Sequence, residues 1–515
     1  MGARGLTALG AAGVGFLTAL VFWPAVGYEW LKYWDDGAHL LWNEAYKGLT
    51  PTHLWWMLHP FLGQWMPLTW LSWALDYTAW GLDPAAFHRT NVLLHALNAS
   101  VLFLIARRLL PRAIPTASPS TVLLGALAAA LLWALHPMRV ESVAWVNERR
   151  DVLSGLFYLL AVFTYLSFVT TNSKKTYLLS VGAFALAVLS KSLAVTLPAV
   201  LLLLDYYPLR RRAWAEKIPY FVVSAVGVVM AFVALAKMDV IAPLGWISLE
   251  DRVLIAAYSL AFYPLTSLWP AGLSPLYELT FRPSVFEWRF GLAVIGVGVA
   301  TGLALRCRRS APAWAVAWLA YAVTVLPVSG IVQNGYQLVA LRYSYLAALP
   351  LVLVAGGLLM RMRPAVGLSI ATGSVGMLAV LTGFYLPVFH DGPTFWTRAV
   401  QVQPACVACA DFLVHQAKLS HAEAVLTAVL TQQPELQEQR FQLGMIAFIR
   451  ARGAEGEGHF KEYLRRAAAT DPGYIPRIEV GRQQHVALAR HVLRGPQRND
   501  ADLFDGTIHG LLPRP

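Results

Sequence analysis

This sequence of 515 residues has little charge and few cysteines. Asp, Glu, Lys and Arg together make up 14% of the residues, and the cysteines are Cys307, Cys406 and Cys409. So little charge in a chain that is 57% hydrophobic excludes an ordinary soluble globular protein. Three cysteines do not make a disulfide framework. We therefore predict a polytopic membrane protein.

The basic residues give a net charge of +12 but do not indicate nucleic-acid binding. They stand in short clusters between apolar runs, the pattern that the positive-inside rule produces. The positive charge therefore reflects which loops face the cytoplasm. Membrane lipids, rather than nucleic acid, are the expected partners. The clusters are Arg107-Arg108 with Arg112, Lys174-Lys175, Arg210 to Arg212, Arg306 with Arg308-Arg309, and Arg361 with Arg363.

Eleven apolar runs have near-spanning length and predict the membrane helices. The first run is longer than the apolar part of a signal peptide, so we expect a retained helix that begins in the cytoplasm, although Ala25-Val-Gly27 resembles a cleavage site. Segment 252–270 is also apolar. We expect it to be re-entrant or interfacial, because a twelfth span would leave one basic cluster outside. The eleven runs lie near 6–26, 88–108, 121–136, 152–170, 176–190, 192–207, 218–236, 289–305, 312–328, 343–361 and 365–388.

The first external loop, residues 28–87, begins with two adjacent acids in Tyr33-Trp34-Asp35-Asp36. Carboxylates at the membrane edge are a functional-site hypothesis, and a solvated acidic loop is the alternative. The loop carries nine of the nineteen tryptophans, whose rings favour the headgroup level. Prolines repeatedly interrupt the apolar helical patterns of this loop, so we predict interfacial helices here rather than spans.

The apolar runs end near Asp391, and helical patterns of soluble length follow at 405–418, 421–432, 435–450 and 459–469. The junctions Gln403-Pro404, Gln433-Pro434 and Asp471-Pro472 recur at intervals of 30 and 38 residues, which bracket the roughly 34-residue period of tetratricopeptide repeats. We predict a membrane domain over 1–390, repeats over 391–480 that dock on it, and a C-terminal tail over 481–515 that is poorly ordered from about Gly495.

Cys406-Val-Ala-Cys409 has the spacing of a redox motif. It lacks the βαβ context in which such motifs work, so structural packing or an incidental disulfide is favoured.

A series of short motifs runs in order along the membrane part of the chain. The main blocks are Tyr33-Trp-Asp-Asp36, Pro67-Leu-Thr69, His88-Arg-Thr-Asn91, His95-Ala-Leu-Asn98, His136-Pro-Met-Arg-Val-Glu-Ser-Val-Ala-Trp145, Arg149-Arg-Asp151, Leu189-Ser-Lys191, Leu273-Ser-Pro-Leu-Tyr277 and Pro327-Val-Ser329. In this order they resemble the transmembrane-and-tetratricopeptide O-mannosyltransferases and their bacterial relatives. The resemblance implies an all-α GT-C fold of about 11–12 transmembrane helices followed by a tetratricopeptide-like domain. It also implies sugar transfer from a polyprenyl-phosphate donor to an extracytoplasmic acceptor.

The resemblance places the essential acid of the first external loop at Asp35 and Asp36. An inverting transfer needs a carboxylate that accepts the proton of the attacking hydroxyl. A second acid can orient the acceptor or raise the pKa of the first by repulsion. Little separates the two, and we assign the base to Asp36 and the supporting role to Asp35.

The leaving group of this reaction is a lipid phosphate, which requires fixed cations. Snorkelling to lipid headgroups is the alternative for each cation. The family usually has an acidic residue before its Arg-Tyr pair, where this chain has Leu341, so we expect Arg342 to lack a local partner. The candidate cations are Arg139, Arg149, Arg150, Lys191 and Arg342.

His136, Glu141 and Tyr343 are candidates for binding substrate hydroxyls. The structural alternatives are a histidine capped by a backbone group, and Glu141 paired with Arg139 or Arg149. His88 and His95, with nearby asparagines on one helix face, predict a polar seam between membrane helices.

No cofactor is predicted. A divalent ion bridging the acid pair to a phosphate is chemically feasible, but GT-C enzymes with monophosphate donors generally work without one. The expected partners are the lipid-linked sugar and a protein Ser or Thr acceptor, which the concave face of the repeats would recruit. We expect a bacterial inner membrane, with the active site and the repeats extracytoplasmic. Truncation near residue 391 should then spare donor binding and impair use of protein acceptors.

Three other functions stay open at this point. A lipid or polysaccharide acceptor is the alternative within enzymes, and a non-catalytic membrane scaffold is the alternative outside them. A transporter is disfavoured because the chain lacks paired Gly/Pro-broken spans at corresponding places in two halves.

Overall fold

A computed structural model of the chain describes residues 2–467 except 239, 240, 246, 280, 281, 334, 336, 417 and 435, together with 485–490 and 493. Helices make up nearly all of the regular structure in these ranges. The predicted tail falls almost wholly outside them. The N-terminal helices are α1 Ala3–Phe22, α2 Pro51–Met57, α3 Pro67–Trp80, α4 Pro84–Ala113, α5 Pro119–Ala134, α6 Val140–Ala144, α7 Arg149–Thr171, α8 Lys174–Ser190, α9 Leu197–Tyr206 and α10 Ile218–Ala236.

The second half of the chain continues the helical pattern and adds one short two-stranded sheet. Strands β1 Tyr277–Glu278 and β2 Gln337–Val339 pair antiparallel, with Tyr277 opposite Val339. The helices are α11 Leu249–Leu268, α12 Trp288–Arg306, α13 Pro312–Val325, α14 Ser344–Ala347, α15 Leu349–Leu359, α16 Pro364–Tyr385, α17 Gly392–Val402, α18 Val407–Gln416, α19 Leu419–Gln432, α20 Gln437–Ile449 and α21 Gly453–Ala467.

The chain is an all-α, multi-pass membrane protein, as predicted. Among the described residues, six helical stretches are long and apolar enough to cross a membrane. Two further pairs meet the test only together and bend by 54° and 60°, which gives at most eight candidates. The six are Arg4–Gly27, Pro84–Ala113, Val146–Thr171, Ala215–Ala236, Trp288–Arg306 and Pro364–Phe389, and the bent pairs are Pro119–Ala134 with Pro137–Ala144 and Leu341–Ala347 with Leu349–Leu359.

The predicted number of eleven spans is therefore higher than the number found by length and composition. The predicted runs do form helices, but the three that are neither candidates nor part of a bent pair are short: α8 has 17 residues, α9 has 10 and α13 has 14. A straight span needs about 20 residues. The charged residues Glu250, Asp251 and Arg252 at the start of α11 keep this helix out of the candidates. That segment 252–270 is re-entrant or interfacial stays a prediction.

The prolines of the first external loop begin helices rather than only interrupting them. Pro51, Pro67 and Pro84 stand at the first turns of α2, α3 and α4. Proline suits this position because its missing N–H would have no intrahelical partner there. The loop is therefore a set of short packed helices, consistent with the prediction of helices that do not span.

Close helix packing organises the membrane domain around α4, α5 and α15. A Cβ atom added to Gly356 would lie 2.4 Å from the carbonyl oxygen of Gly125, so the backbones of α5 and α15 approach each other directly. The predicted polar seam is confirmed nearby for His95 and Asn98. His95 Nδ1 lies 2.8 Å from the Tyr345 hydroxyl, and Asn98 donates to the same hydroxyl at 2.8 Å.

Of the C-terminal helices α17 to α21, α17 and α18 contact the membrane domain. Arg398 Nε of α17 donates to the Leu273 carbonyl at 3.1 Å, and the Val407 N–H of α18 donates to Glu278 at 2.7 Å. Cys406 and Cys409 form a disulfide between two buried side chains. The identity of these helices as tetratricopeptide repeats stays a prediction, because the third junction at 471–472 lies outside the described residues.

Candidate functional site

Asp36 is a buried carboxylate that ties the first loop, residues 28–87, to the second loop, residues 135–148 between α5 and α7. It lies just before the π-helical turn Gly37–Leu41 and is 1% exposed. Its Oδ2 accepts from the Leu31 N–H at 2.9 Å, and its Oδ1 accepts from the Asn147 N–H at 3.1 Å. Burial raises the pKa of Asp36 to about 7, although both backbone N–H groups favour the charged form. The carboxyl group therefore gains and loses its proton near neutral pH.

Asp35 is half-buried and more accessible than its neighbour. Its Oδ2 accepts from Asn147 Nδ2 at 3.1 Å, and its Oδ1 accepts no hydrogen bond within the described part of the chain. Asn147 thus holds both acids, Asp36 through its backbone and Asp35 through its side chain. His39 Nδ1 lies 3.0 Å from the Asp35 carbonyl oxygen, and burial lowers the pKa of this imidazole.

Glu148, next to Asn147, is the centre of a buried charge network. Its side chain is wholly buried and contacts three cations. Arg150 Nε lies 3.1 Å from Oε2, Lys191 Nζ lies 3.0 Å from Oε2, and Arg342 Nε lies 3.2 Å from Oε1. Three of the five predicted cations therefore converge, but on a protein carboxylate.

Arg342 has no acidic neighbour in sequence, as expected, but it pairs with carboxylates from a distant segment. Its backbone N–H donates to Glu141 Oε2 at 2.9 Å, and its guanidinium also contacts Glu141. Glu141 is separated from Arg342 by 201 residues and comes from the second loop. Arg342 Nη2 also donates to Gln337 of β2 at 2.7 Å, and Tyr343 lies beside the same amide. The neighbouring residue in sequence therefore does not decide the partner.

Lys191 has a second carboxylate partner, Asp151, at 2.7 Å. The cations Arg150, Lys191 and Arg342 are thus balanced by an equal number of carboxylates, Glu141, Glu148 and Asp151. Buried charges need such compensation, because their desolvation is costly. The network is electrically neutral without a substrate.

Arg149 and Arg139 are enclosed and contact other groups. Arg149 Nη2 pairs with Asp76 at 2.7 Å, and its side chain is wholly buried. Arg139 is 1% exposed, donates to the Ser344 hydroxyl at 2.7 Å, and lies within 6 Å of the ring centroids of Trp133 and Tyr345. Neither arginine snorkels to the surface.

His136 has the backbone contacts of the structural alternative. Its Nδ1 accepts from the Met138 N–H at 3.2 Å, and its Nε2 lies 3.0 Å from the Ser267 carbonyl oxygen. The alternative pairing of Glu141 with Arg139 or Arg149 is not found, since Glu141 contacts Arg342. Substrate binding by His136, Glu141 and Tyr343 stays a prediction.

Sequence reasoning missed Asn147 and Glu148, the two residues that connect the acid pair to the cations. The available signal was their position directly before Arg149-Arg150, where an acid beside two arginines indicates charge pairing. Gln64, which contacts Arg150, carried no such signal. In the part of the chain that the structure describes, no group of three His, Cys, Asp or Glu side chains could hold a metal ion.

Known proteins are similar to this part of the chain. Residues 59–236 match the family model described as dolichyl-phosphate-mannose-protein mannosyltransferase. The chain is 36% identical over 134 residues to protein O-mannosyl-transferase Tmtc1 of Drosophila melanogaster, 26% of this chain and 14% of that protein. It is 32% identical over 206 residues to protein O-mannosyl-transferase TMTC4 of Mus musculus, 36% of this chain and 27% of that protein.

A human relative is similar to the same degree. Protein O-mannosyl-transferase TMTC2 of Homo sapiens is 31% identical over 162 residues, 30% of this chain and 18% of that protein. The chain thus matches between about a seventh and about a quarter of the length of these three relatives. The segment matched by the family model includes Glu148 and Lys191 but not the acid pair or Arg342. The resemblance indicated by the sequence motifs is confirmed: this chain is similar to the transmembrane-and-tetratricopeptide O-mannosyltransferases.

Proposed function

We propose that this chain is an inverting, GT-C-type glycosyltransferase that moves a sugar from a polyprenyl-phosphate donor to a protein Ser or Thr hydroxyl on the extracytoplasmic side. Mannose is the favoured sugar, because the family model and the relatives are named for mannose transfer. The observation that carries the proposal is the double contact of Asn147 with Asp35 and Asp36, which places the acid pair beside the Glu148 network. A proton acceptor thus adjoins a group of cations.

The proposed reaction needs a carboxylate that the acceptor can reach. The acceptor oxygen bonds to the anomeric carbon, its proton passes to the carboxylate, and the bond from the anomeric carbon to the phosphate oxygen breaks. Asp35 is half-buried with one oxygen open, whereas both oxygens of buried Asp36 accept backbone hydrogen bonds. These surroundings favour Asp35 as the base, and Asp36 as the group that holds the loop, over the assignment made from the sequence.

The donor phosphate needs cations that can turn toward it. Lys191 and Arg342 have the most exposed side chains of the candidates, 15% and 9%, whereas Arg149 is wholly buried. We assign the phosphate contact to Lys191 and Arg342, which would exchange part of their carboxylate contacts for the phosphate oxygens. Arg139 and Arg149 then support the fold around the site. The proposal includes no metal, so transfer should continue in excess EDTA.

The test compares intact masses of extracytoplasmic proteins from cells that express the wild-type chain or Asp35→Asn at equal membrane levels. Proteins that carry hexose-sized mass increments should appear with the wild type. Their amount should fall by about 100-fold or more in the variant, because a general base contributes about that much to the rate of transfer. Glu44→Gln is the control. Glu44 lies in the same external loop, but its side chain is 80% exposed and pairs only with Lys47 among described residues.

Other outcomes of this comparison would replace the proposal. If the protein masses do not differ, the lipid and polysaccharide fractions are compared next. A change there would assign a lipid or polysaccharide acceptor. No change in any fraction would leave the non-catalytic scaffold as the better function.

A further inference from the structure

Trp34, the residue directly before the acid pair, contacts rings from two distant parts of the chain. Its ring centroid lies 5.1 Å from that of Trp396 in α17 and 5.4 Å from that of Phe412 in α18, both edge to face. It lies 6.3 Å from the ring of Trp145, two residues before Asn147. Trp34, next to Asp35, and Trp145, two residues before Asn147, therefore pack together beside the contact between the acid pair and Asn147.

The two rings from the C-terminal helices form a rigid support. Trp396 and Phe412 stack on each other at 4.6 Å with 15° between their planes, and Trp396 is 1% exposed. Aromatic side chains have few rotatable bonds and strong geometric preferences, so a cluster of this kind fixes the position of what it contacts. The cluster of Trp34, Trp145, Trp396 and Phe412 is called the aromatic support below.

A second connection joins the same helices to the cation side of the site. Glu278 in β1 accepts from the Val407 N–H at the start of α18, at 2.7 Å. β1 pairs with β2, and Gln337 of β2 accepts from Arg342 at 2.7 Å. The Glu29 N–H, at the start of the first external loop, also donates to the His390 carbonyl oxygen at 2.9 Å. Residues 390–412 therefore contact both halves of the proposed site.

We propose that Trp34 is a positioning residue and that α17 and α18, through the aromatic support, hold Asp35 and Asp36 in the geometry needed for transfer. This inference rests on the proposed function. It assigns α17 and α18 to the framework of the active site, whereas α19 to α21 remain available for binding the protein acceptor. Truncation near residue 391 would then abolish transfer to every acceptor, not only to proteins.

Hydrogen exchange tests the positioning role without using catalysis. The Leu31 and Asn147 amides, both bonded to Asp36, report whether the loop is held. In the full chain in lipid nanodiscs, Trp396→Ala and Phe412→Ala should speed exchange at both amides by about 10-fold, because losing a packing partner makes local opening more frequent. The matched control is Phe460→Ala.

The control removes a buried aromatic ring from the same C-terminal segment but not from the aromatic support. Phe460 packs on Phe441 and Phe448 in a separate cluster. Its replacement should leave exchange at Leu31 and Asn147 unchanged. Equal exchange in all variants, or equal acceleration in the control, would overturn the proposal. If the alanine variants do not accumulate, Trp396→Leu and Phe412→Leu serve in their place, since they remove the ring stacking and keep apolar volume.

Kinetics then test the link to catalysis, with polyprenyl-phosphate mannose as donor and a Ser/Thr peptide as acceptor. Trp34→Ala should lower kcat by about 100-fold with the donor KM within about 2-fold, because a small misplacement of a reacting group has that effect. Trp34→Phe, which keeps an aromatic ring, should recover most of the rate. A rise in donor KM at constant kcat, or no recovery by Phe, would contradict a positioning role.

The two measurements separate the two proposals. If the wild-type chain transfers no sugar from this donor, the proposed function fails for mannose. The exchange comparison would still decide whether α17 and α18 hold the acid pair.

Discussion

Asp36 and Glu148 are both at most 1% exposed, yet they are compensated in different ways. Glu148 contacts three cations, Arg150, Lys191 and Arg342. Asp36 is held by two backbone N–H groups, and no cation lies within ion-pair distance of it among the described residues. Three cations surround one buried carboxylate, whereas the two N–H dipoles at the other do not prevent burial from raising its pKa to about 7. The comparison teaches that one buried carboxylate organises charge, whereas the other holds a loop and titrates near neutral pH.

The largest expected effect on stability is that of Glu148→Gln. Removing one partner of a buried ion pair leaves an uncompensated charge, so the free energy of unfolding should fall by about 3–5 kcal/mol. Thermal unfolding of the detergent-solubilised protein measures the change. Glu44→Gln is the control and should change stability by less than about 1 kcal/mol, because Glu44 is exposed. A Glu148→Gln variant as stable as the control would show that the cations do not depend on this carboxylate.

A smaller effect is expected for Asp36→Asn. An amide side chain has one oxygen acceptor, so either the Leu31 or the Asn147 N–H would be left without its partner. Such a loss costs about 1–3 kcal/mol. The same unfolding measurement applies, with Asp35→Asn as the comparison, because Asp35 accepts one side-chain bond and is half-buried. Equal losses for the two variants would remove the distinction between a holding acid and an accessible one.

The smallest expected effect is the change in the free energy of unfolding that Asp36 causes between pH 6 and pH 7. Its pKa is raised in the folded protein from 3.8 to about 7, so the folded state binds this proton more tightly than the unfolded state does. The contribution is fully present below about pH 4 and is lost as the pH rises through 7. Between pH 6 and pH 7 the free energy of unfolding should fall by about 1 kcal/mol.

Other groups also titrate in this range, so the pH effect is read from the difference between the wild type and Asp36→Asn. The extra decline between pH 6 and pH 7 should be absent from the variant. If the two proteins show the same pH dependence, burial does not raise the proton affinity of Asp36.

Much of the fold could be predicted from the sequence because long apolar runs are a local signal. The run predicted at 218–236 is the helix Ile218–Ala236, and the run predicted at 289–305 is the helix Trp288–Arg306. The first-loop prolines were less informative, since Pro51 and Pro67 begin helices as readily as they interrupt them.

The sequence could predict which residues lie at the site, but not which residues they pair with. The motifs identified Asp35, Lys191 and Arg342, all of which lie at the proposed site. The partners of Arg342 could not be predicted, because Glu141 is 201 residues away in sequence and only the packing of the second loop brings it close. The contacts of Trp34 with Trp396 and Phe412 could not be predicted for the same reason, because these residues are also far apart in sequence.

The sequence by itself determined the class of this protein, because hydropathy and the spacing of basic residues depend on neighbours along the chain. It also determined which acids and cations were candidates, through its motifs. The tertiary structure decided which charges neutralise each other, which of two adjacent acids is more accessible, and which helices lie beside them. Those properties depend on distances and burial between remote segments, and a carboxylate such as Glu148 acquires its surroundings only when those segments meet.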